Sequence, residues 1–425
     1  MWLSSVTERV MLSFMLFSLA SLLCVSSSCS ECTDSYPFQV ALENDMRFHD
    51  CLCEHDALIV FSSVVDKKEQ VFIVVKLYRK GNAAAEHCMY FTDEQILPLI
   101  GSDKSFYYKA DLYKLIWQPL EKHLTGIRNV YFLPSDLLST VSFEYCKDEF
   151  GRMFCEKYNT YRISSPSVLK YHDRNGNSHS KVSIWGGIEY CSDLAGVEKY
   201  EYSDSAYLEK CDLGYLDDSY RAAKLINDEL QEQGMNSNFY HGELATEGQF
   251  KSEKWDDTDI FFIETHGLFL NNYNLAKNKG KDDPMKNHAL AFAGACYALE
   301  GGIVPDSIDD GILTSKEISE LDLHNVDLAV VSACKSALGE IRADGVYGLM
   351  RGFKQAGVKS LIMATDDIVD YVSGQLWIQL FRNLAKGMTK REALLEGLKY
   401  IRTMDDGAFS HPKYWTPFIL IDGVE

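Results

Sequence analysis

Short apolar runs rich in β-branched and aromatic residues recur along the chain and alternate with amphipathic stretches. In the first half, runs with the composition of β-strands cover residues 57–61, 71–77, 129–133 and 182–185. In the second half, uninterrupted apolar runs cover residues 259–264, 328–331, 359–363 and 418–421. Strands without a polar alternation are typical of sheets buried on both faces.

Helical periodicity fills the spaces between the strands of the second half. One apolar face is formed by Leu216, Tyr220, Ala223, Ile226 and Leu230, and Gly234 follows it as a stop. Residues 345–356 predict another helix, whose glycines would permit close packing. The sequences TSKE at residues 314–317 and TKRE at 389–392 predict capping boxes at two further helices. The pattern predicts an α/β fold with a mostly parallel sheet and helices on both faces.

A polar, charged segment at residues 198–212 divides the chain. A length of 425 residues is enough for two hydrophobic cores. We therefore expect an N-terminal α/β half over residues 29–197 and a second domain over residues 213–425.

The N-terminus has the pattern of an export signal peptide. Arg9 precedes an apolar, uncharged run at residues 10–25, and the small residues 26–28 precede Cys29. Cleavage would remove residues 1–28. Three outcomes stay open: lipidation of Cys29, which would attach the chain to a membrane as a lipoprotein, plain secretion, or an uncleaved anchor.

Composition narrows the classes of partner. The net charge of −20 argues against nucleic acid, whose binding depends on Lys and Arg contacts to phosphates. The twelve cysteines lack the spacing of a disulfide scaffold, so their pairing stays open. Motifs of serine hydrolases, P-loop proteins and zincins are absent from the sequence, and we expect no cofactor and no metal.

Two of the second-half strands run directly into reactive side chains. His266 follows the run at 259–264, and Cys334 follows the run at 328–331. Carboxyl ends of neighbouring parallel strands meet at one sheet edge, so an imidazole and a thiol would meet there. The imidazole would take the thiol proton, and the backbone N–H groups of Gly267 and Cys334 would hold an oxyanion. Taken singly, a strand-end Cys or His is more often structural.

The same segments resemble the CHAT-domain family, a caspase–separase-like group. The resemblance is carried by residues 265–267 (THG), 310–314 (DGILT), 328–339 (LAVVSACKSALG), 348–353 (GLMRGF), 387–394 (GMTKREAL) and 411–418 (HPKYWTPF). It implies a caspase-like catalytic domain over residues 213–425, a degenerate caspase-like half before it, and a catalytic dyad of His266 and Cys334. The implied activity is hydrolysis of protein or peptide bonds.

One departure from the family concerns specificity. Where the family has a Ser-Leu-Trp segment, this chain has residues 363–367 (MATDD). Asp366 and Asp367 could bind a basic substrate side chain through charge pairing, or form a solvated turn. The alternative to an enzyme is an exported scaffold that holds a peptide in the same cleft without cleaving it.

A weaker signal lies near residue 50. On a strand, His49, Cys51, Cys53 and His55 would share one face and offer metal ligands. The spacing matches no established zinc motif, and a loop or disulfide partners are the alternative.

Overall fold

The structure is a computed structural model, and it describes residues 48–65, 71–82, 85–101, 103–170, 181–194, 211, 213–273, 283–342 and 345–424. The export segment 1–28, Cys29 and nearly all of the 198–212 segment lie outside these residues. No helix in the described ranges is long and apolar enough to cross a membrane.

The chain divides into two compact units, the first ending at His172 and the second beginning at Asp173. This boundary precedes the expected polar segment 198–212. The two boundaries differ because the strand Lys181–Ile188 belongs to the second unit. This strand pairs on both sides with strands of that unit.

The first unit contains a mixed sheet. Its strands are β1 (Asp56–Val65), β2 (Val71–Arg79), β3 (His87–Thr92), β4 (Asn129–Leu133) and β5 (Asn159–Arg162). They lie in the order β3-β2-β1-β4-β5, antiparallel from β3 to β1 and parallel from β1 to β5. Its α-helices are short: α1 (Phe48–Cys51), α2 (Asp93–Ile96), α3 (Asp111–Ile116), α4 (Gln118–Glu121), α5 (Asp136–Ser139) and α6 (Phe154–Lys157).

The start of the first unit corrects the strand assumed for the metal-ligand pattern. The backbone of residues 48–51 is helical (α1), and Cys53 N–H then donates to the Asp56 carboxylate at 2.7 Å. This bond closes a turn immediately before β1. The alternation that would have aligned the His and Cys residues therefore does not occur.

The strands of the second unit form one large sheet and two small ones. They are β6 (Lys181–Ile188), β7 (Asn236–Gly242), β8 (Ile260–Glu264), β9 (Gly267–Phe269), β10 (His288–Ala291), β11 (Ile312–Thr314), β12 (Leu328–Ser332), β13 (Gly339–Arg342), β14 (Gly345–Gly348), β15 (Ser360–Ala364) and β16 (Phe418–Ile421). In the large sheet, β15-β12-β8-β6-β7 are parallel, and β16 is antiparallel to β15. The predicted α/β class with a mostly parallel sheet is confirmed.

Helices cover both faces of this sheet. They are α7 (Asp217–Glu232), α8 (Glu247–Lys251), α9 (Ala295–Leu299), α10 (Ser315–Ile318), α11 (Leu349–Gln355), α12 (Asp370–Ala385) and α13 (Lys390–Thr403). Because side chains alternate along a strand, Phe261 and Phe262 of β8 point to opposite faces. The Phe261 ring lies 5.5 Å from Phe353 of α11, and the Phe262 ring lies 5.7 Å from Phe381 of α12. Both predicted capping boxes, at Thr314 and Thr389, are present.

The predicted helix over residues 345–356 is only half right. Residues 345–348 form β14, which makes a hairpin with β13, and the helix is restricted to Leu349–Gln355. A side chain at Gly348 would come within 2.5 Å of the Leu338 carbonyl, so the glycine permits the hairpin. Gly352 does lie inside the helix, where its missing side chain leaves room for the Ser315 carbonyl.

A disulfide whose pairing the sequence left open joins Cys191, just after β6, to Cys296 of α9. The backbone N–H of Cys296 also donates to the Tyr190 carbonyl at 3.0 Å. Together these bonds attach α9 to the end of the strand next to β8.

Candidate active site

The two predicted catalytic residues follow strands that are direct neighbours. β8 and β12 pair in parallel, with Glu264 opposite Ser332 at their last positions. Thr265 N–H continues the ladder by donating to the Ser332 carbonyl at 3.0 Å. His266 and Cys334 each stand two residues beyond this last pair. The register therefore brings both to the same edge of the sheet.

Gly267 lies directly against the backbone of Cys334. A Cβ atom at Gly267 would be 2.5 Å from the Cys334 carbonyl oxygen, far inside van der Waals contact. The absence of a side chain at Gly267 therefore leaves room for the chain that carries the thiol.

The His266 side chain is oriented by a backbone carbonyl. Its Nε2 lies 2.8 Å from the carbonyl oxygen of Gly214, and the residue is partly exposed. A carbonyl can only accept, so this bond places a hydrogen on Nε2. Nδ1 is then the ring nitrogen with a lone pair for a proton.

The Tyr190 side chain packs against the imidazole of His266. Its buried ring lies 4.8 Å from the His266 ring, and its hydroxyl shares a hydrogen bond with Thr265 Oγ1 at 3.1 Å. Thr265 Oγ1 also donates to the Ala291 carbonyl at 2.6 Å. These contacts leave the histidine little freedom to leave the sheet edge.

The Cys334 thiol is partly buried and hydrogen-bonded to one residue, Ile368. Sγ lies 3.5 Å from Ile368 N–H, which donates to it, and 3.9 Å from the Ile368 carbonyl, which accepts from the thiol. Burial raises the pKa of Cys334, Ile368 N–H and Lys335 oppose this effect, and the Asp367 and Asp366 charges add to it. The resting side chain is therefore a thiol at neutral pH, and a nearby base is needed to ionise it.

The residue after the thiol adopts a backbone conformation that non-glycine residues seldom use. Lys335 has φ of 56°, in the left-handed region. Its N–H donates to the Asp366 carbonyl at 3.0 Å, and its ammonium forms an ion pair with Asp367 at 2.7 Å. Such strained turns are often found where a fold must present a reactive side chain.

The two predicted substrate-binding carboxylates lie beside the thiol but already have partners. Asp367 pairs with Lys335, and Asp366 Oδ1 accepts the N–H of Asp367 at 2.8 Å. Asp367 is exposed and Asp366 is partly buried. A basic substrate group would thus compete with Lys335 for Asp367.

A buried polar network lies at the ends of β8 and β12 and was not predicted from the sequence. Ser332 Oγ and Ser373 Oγ donate to Glu264 Oε1 at 2.9 and 2.8 Å, and Trp377 Nε1 donates to Ser332 Oγ at 2.8 Å. Glu264 Oε2 is buried and has no hydrogen-bond partner among the described residues. Burial, with the nearby Asp370 charge, raises the pKa of Glu264 to about 8.

Comparison with known proteins points to one family. A family model described as "CHAT domain" matches residues 108–422. Tetratricopeptide repeat protein 28 of Homo sapiens is 29% identical over 305 residues, which is 69% of this chain and 11% of that protein. The Mus musculus protein of the same name is 31% identical over 110 residues, 26% of this chain and 4% of that one. The chain thus corresponds to a small part of these curated relatives.

Solved structures with similar folds include two proteins with low sequence identity. The Arg specific cysteine proteinase gingipain R has a TM-score of 0.44 at 10% identity, covering 74% of this chain and 67% of that one. The separase–securin complex of Saccharomyces cerevisiae has a TM-score of 0.46 at 8% identity, covering 90% of this chain and 30% of that one.

Proposed function

The chain belongs to the CHAT-domain family, and on that premise we propose that it is a cysteine endopeptidase acting through Cys334 and His266. The observation that carries the proposal is the parallel pairing of β8 with β12, because His266 and Cys334 each follow the last pair of this ladder by two residues. The close contact between Gly267 and the Cys334 carbonyl supports it.

The proposed reaction uses His266 first as a base and then as an acid. Nδ1 of His266 takes the thiol proton, and the thiolate attacks the carbonyl carbon of the peptide bond. The N–H groups of Gly267 and Cys334 are assigned to the resulting oxyanion. The imidazolium protonates the leaving amine as the C–N bond breaks, which leaves a thioester on Cys334. His266 then deprotonates a water molecule that hydrolyses the thioester.

Asp366 and Asp367 are proposed to favour a basic side chain in the substrate. Their position beside the thiol and the overall charge of −20 support this assignment. A peptide library cleaved by the purified protein should then show enrichment of Lys or Arg next to the cleaved bond. Asp367→Asn should weaken that enrichment.

The decisive experiment combines turnover with covalent labelling. Wild-type protein, with and without limited proteolysis to release a zymogen, is treated with a thiol-reactive peptide probe and with the peptide library. Cys334→Ala should abolish both labelling and cleavage, and His266→Gln should reduce both by at least about 10²-fold. Cleavage that persists in folded Cys334→Ala protein would refute the proposal.

A peptide-binding scaffold is the second candidate function. The raised pKa of Cys334, caused first by burial, favours it, because the resting thiol is not a nucleophile. Folded wild-type protein that binds peptides, shows no labelling and has no turnover after proteolysis would support the scaffold. Labelling that depends on both Cys334 and His266 would exclude it.

Export is part of the same proposal. The apolar segment at residues 10–25 supports a signal peptide, and the disulfide between Cys191 and Cys296 supports an oxidising compartment. Mass spectrometry of the mature N-terminus tests it. Cleavage after residue 28 with a lipid on Cys29 would identify a lipoprotein, and an unmodified Cys29 would indicate plain secretion.

A further inference from the structure

Asp370 is connected to both parts of the candidate site, the part that holds the Cys334 thiol and the part that holds His266. It is the first residue of α12 and lies two positions after Ile368, whose backbone contacts the Cys334 thiol. Its side chain is partly buried, and its Oδ1 atom is buried without a hydrogen-bond partner in the described part of the chain.

The Asp370 carboxylate holds the segment that orients the histidine. Its Oδ2 accepts the backbone N–H of Asp218 at 3.2 Å, and the N–H of Ser219 also hydrogen-bonds to this side chain. Gly214, whose carbonyl binds His266, lies four residues before Asp218. Ser219 Oγ in addition donates to the Glu264 carbonyl at 3.3 Å. The carboxylate therefore anchors the start of α7 beside the end of β8.

The charged and titratable groups near Asp370 come from several elements. Burial raises the pKa of Asp370, while the backbone N–H groups of Asp218 and Ser219 oppose this effect by hydrogen bonding to its carboxylate. Asp218 and His266 are also close enough to act on it through their charges. Glu264, whose pKa is raised by burial to about 8, is a further carboxyl nearby, and the ring of Tyr190 packs against His266.

We propose, on the basis of the peptidase function proposed above, that Asp370 is the positioning residue of the catalytic base. It holds the 214–219 segment so that the Gly214 carbonyl orients His266, and its charge stabilises the imidazolium formed when the thiol gives up its proton. The dyad then depends on a third side chain that does not touch the substrate.

The test compares Asp370→Asn with the wild type by NMR titration of the His266 ring, assigned with His266→Gln. Asn keeps an oxygen that can accept from Asp218 but removes the charge. The His266 pKa should fall by about one unit, which corresponds to about tenfold in the protonation equilibrium. In the active enzyme, kcat should fall about tenfold with little change in KM, and the acid limb of the pH–rate profile should move down with the pKa.

Matched variants separate charge from folding. Asp370→Glu should restore the pKa and pH profile in part. Glu232→Gln, an exposed acid at the opposite end of α7, should leave both unchanged. If Asp370→Asn does not fold, Asp370→Ser provides a second oxygen acceptor without the charge.

The outcomes distinguish this inference from the peptidase proposal. An unchanged His266 pKa in folded Asp370→Asn and Asp370→Ser would overturn the role of Asp370. A wild type without turnover would overturn the peptidase proposal, while a fall in the His266 pKa in Asp370→Asn would still support the pairing of Asp370 with His266.

Discussion

Both units have an ionisable side chain at the carboxyl end of a parallel strand. In the first unit this side chain is paired with an opposite charge, and among the described residues of the second unit it is not. In the first unit β5 ends at the buried Arg162, which donates to both carboxylate oxygens of Glu144, at 3.1 and 2.7 Å, and to the Val141 carbonyl at 2.7 Å. Its guanidinium also faces the rings of Phe132 and Phe143 at 5.3 and 5.4 Å. All of these groups are neutralised or hydrogen-bonded within the unit.

In the second unit β8 ends at a buried carboxyl instead, and the hydrogen bonds that this carboxyl accepts come from serine hydroxyls. β8 ends at Glu264, one oxygen of which has no partner among the described residues, and the partly exposed His266 and Cys334 follow. Among the described residues, Glu264 Oε1 accepts from the hydroxyls of Ser332 and Ser373, and neither of these residues is basic.

This difference separates a strand end whose charges are paired from one whose groups have perturbed proton affinities. A buried charge that is fully paired fixes local geometry and loses its tendency to exchange protons. Buried groups with perturbed pKa values cost stability and cluster at functional sites. The paired charges of the first unit therefore fit a structural role, and the perturbed groups of the second unit fit the reaction proposed for Cys334 and His266.

The largest expected effect tests the structural role of the first unit. Arg162→Ala would leave Glu144 buried without its partner, so the free energy of unfolding should fall by about 3–5 kcal/mol. Urea denaturation measures it. The double variant Arg162→Met with Glu144→Leu should recover most of the loss, and a single-variant loss below about 1 kcal/mol would contradict the comparison.

The next effect concerns the buried Glu264 and depends on pH. Burial raises its pKa in the folded state to about 8, from an ordinary value of 4.5. Between these values the unfolded chain loses a proton that the folded chain keeps, so this group lowers stability as pH rises from about 4.5 to 8. The free energy of unfolding of Glu264→Gln, taken relative to wild type, should therefore increase by on the order of 2–4 kcal/mol as the pH rises from about 4.5 to about 9.

Denaturation at about pH 4.5 and at about pH 9 measures the effect of Glu264→Gln on the free energy of unfolding. The exposed Glu243→Gln serves as a control that should change stability little at either pH. Equal stability differences for Glu264→Gln at both pH values would show that the buried carboxyl is ionised in the folded state.

Much of this arrangement could be predicted from the sequence, because buried strands leave a local signal. The apolar runs before His266 and Cys334 have no polar alternation, and the structure shows them as β8 and β12. Because both strands are predicted to belong to one parallel sheet, their carboxyl ends are predicted to lie at the same edge of that sheet. The edge strands β3 and β7 were missed, since their polar and exposed residues interrupt any apolar run.

The supporting residues could not be predicted in the same way. Gly214 and Tyr190 contact His266 from segments distant in sequence, and no local pattern marks a residue whose role is a single tertiary contact. The prediction of a helix over residues 345–348 is wrong for a related reason. The spacing of the glycines fits a helix packing pattern, whereas the contact of Gly348 with the Leu338 carbonyl is what requires glycine there.

A smaller effect tests the contact that joins the two strand ends. In Gly267→Ala the new methyl group would collide with the Cys334 carbonyl, at 2.5 Å, and displace the thiol. The rate of labelling by the peptide probe should fall about 10- to 100-fold. Gly248→Ala in α8 is the matched control, because its added Cβ would meet only the carboxylate end of the Asp309 side chain. Equal labelling rates in both variants would show that this contact does not position the thiol.

The smallest effect concerns the charges beside the thiol. Burial is the main reason for the raised pKa of Cys334; the Asp367 charge adds to it, and the Lys335 charge opposes it. Lys335→Met should therefore raise the pH midpoint of alkylation by iodoacetamide, and Asp367→Asn should lower it, each by about half a unit for a solvent-exposed pair. Iodoacetamide is too small to depend on a substrate pocket, so the shifts report on charge alone. Shifts in the same direction would mean that the ion pair, rather than the separate charges, sets the environment of the thiol.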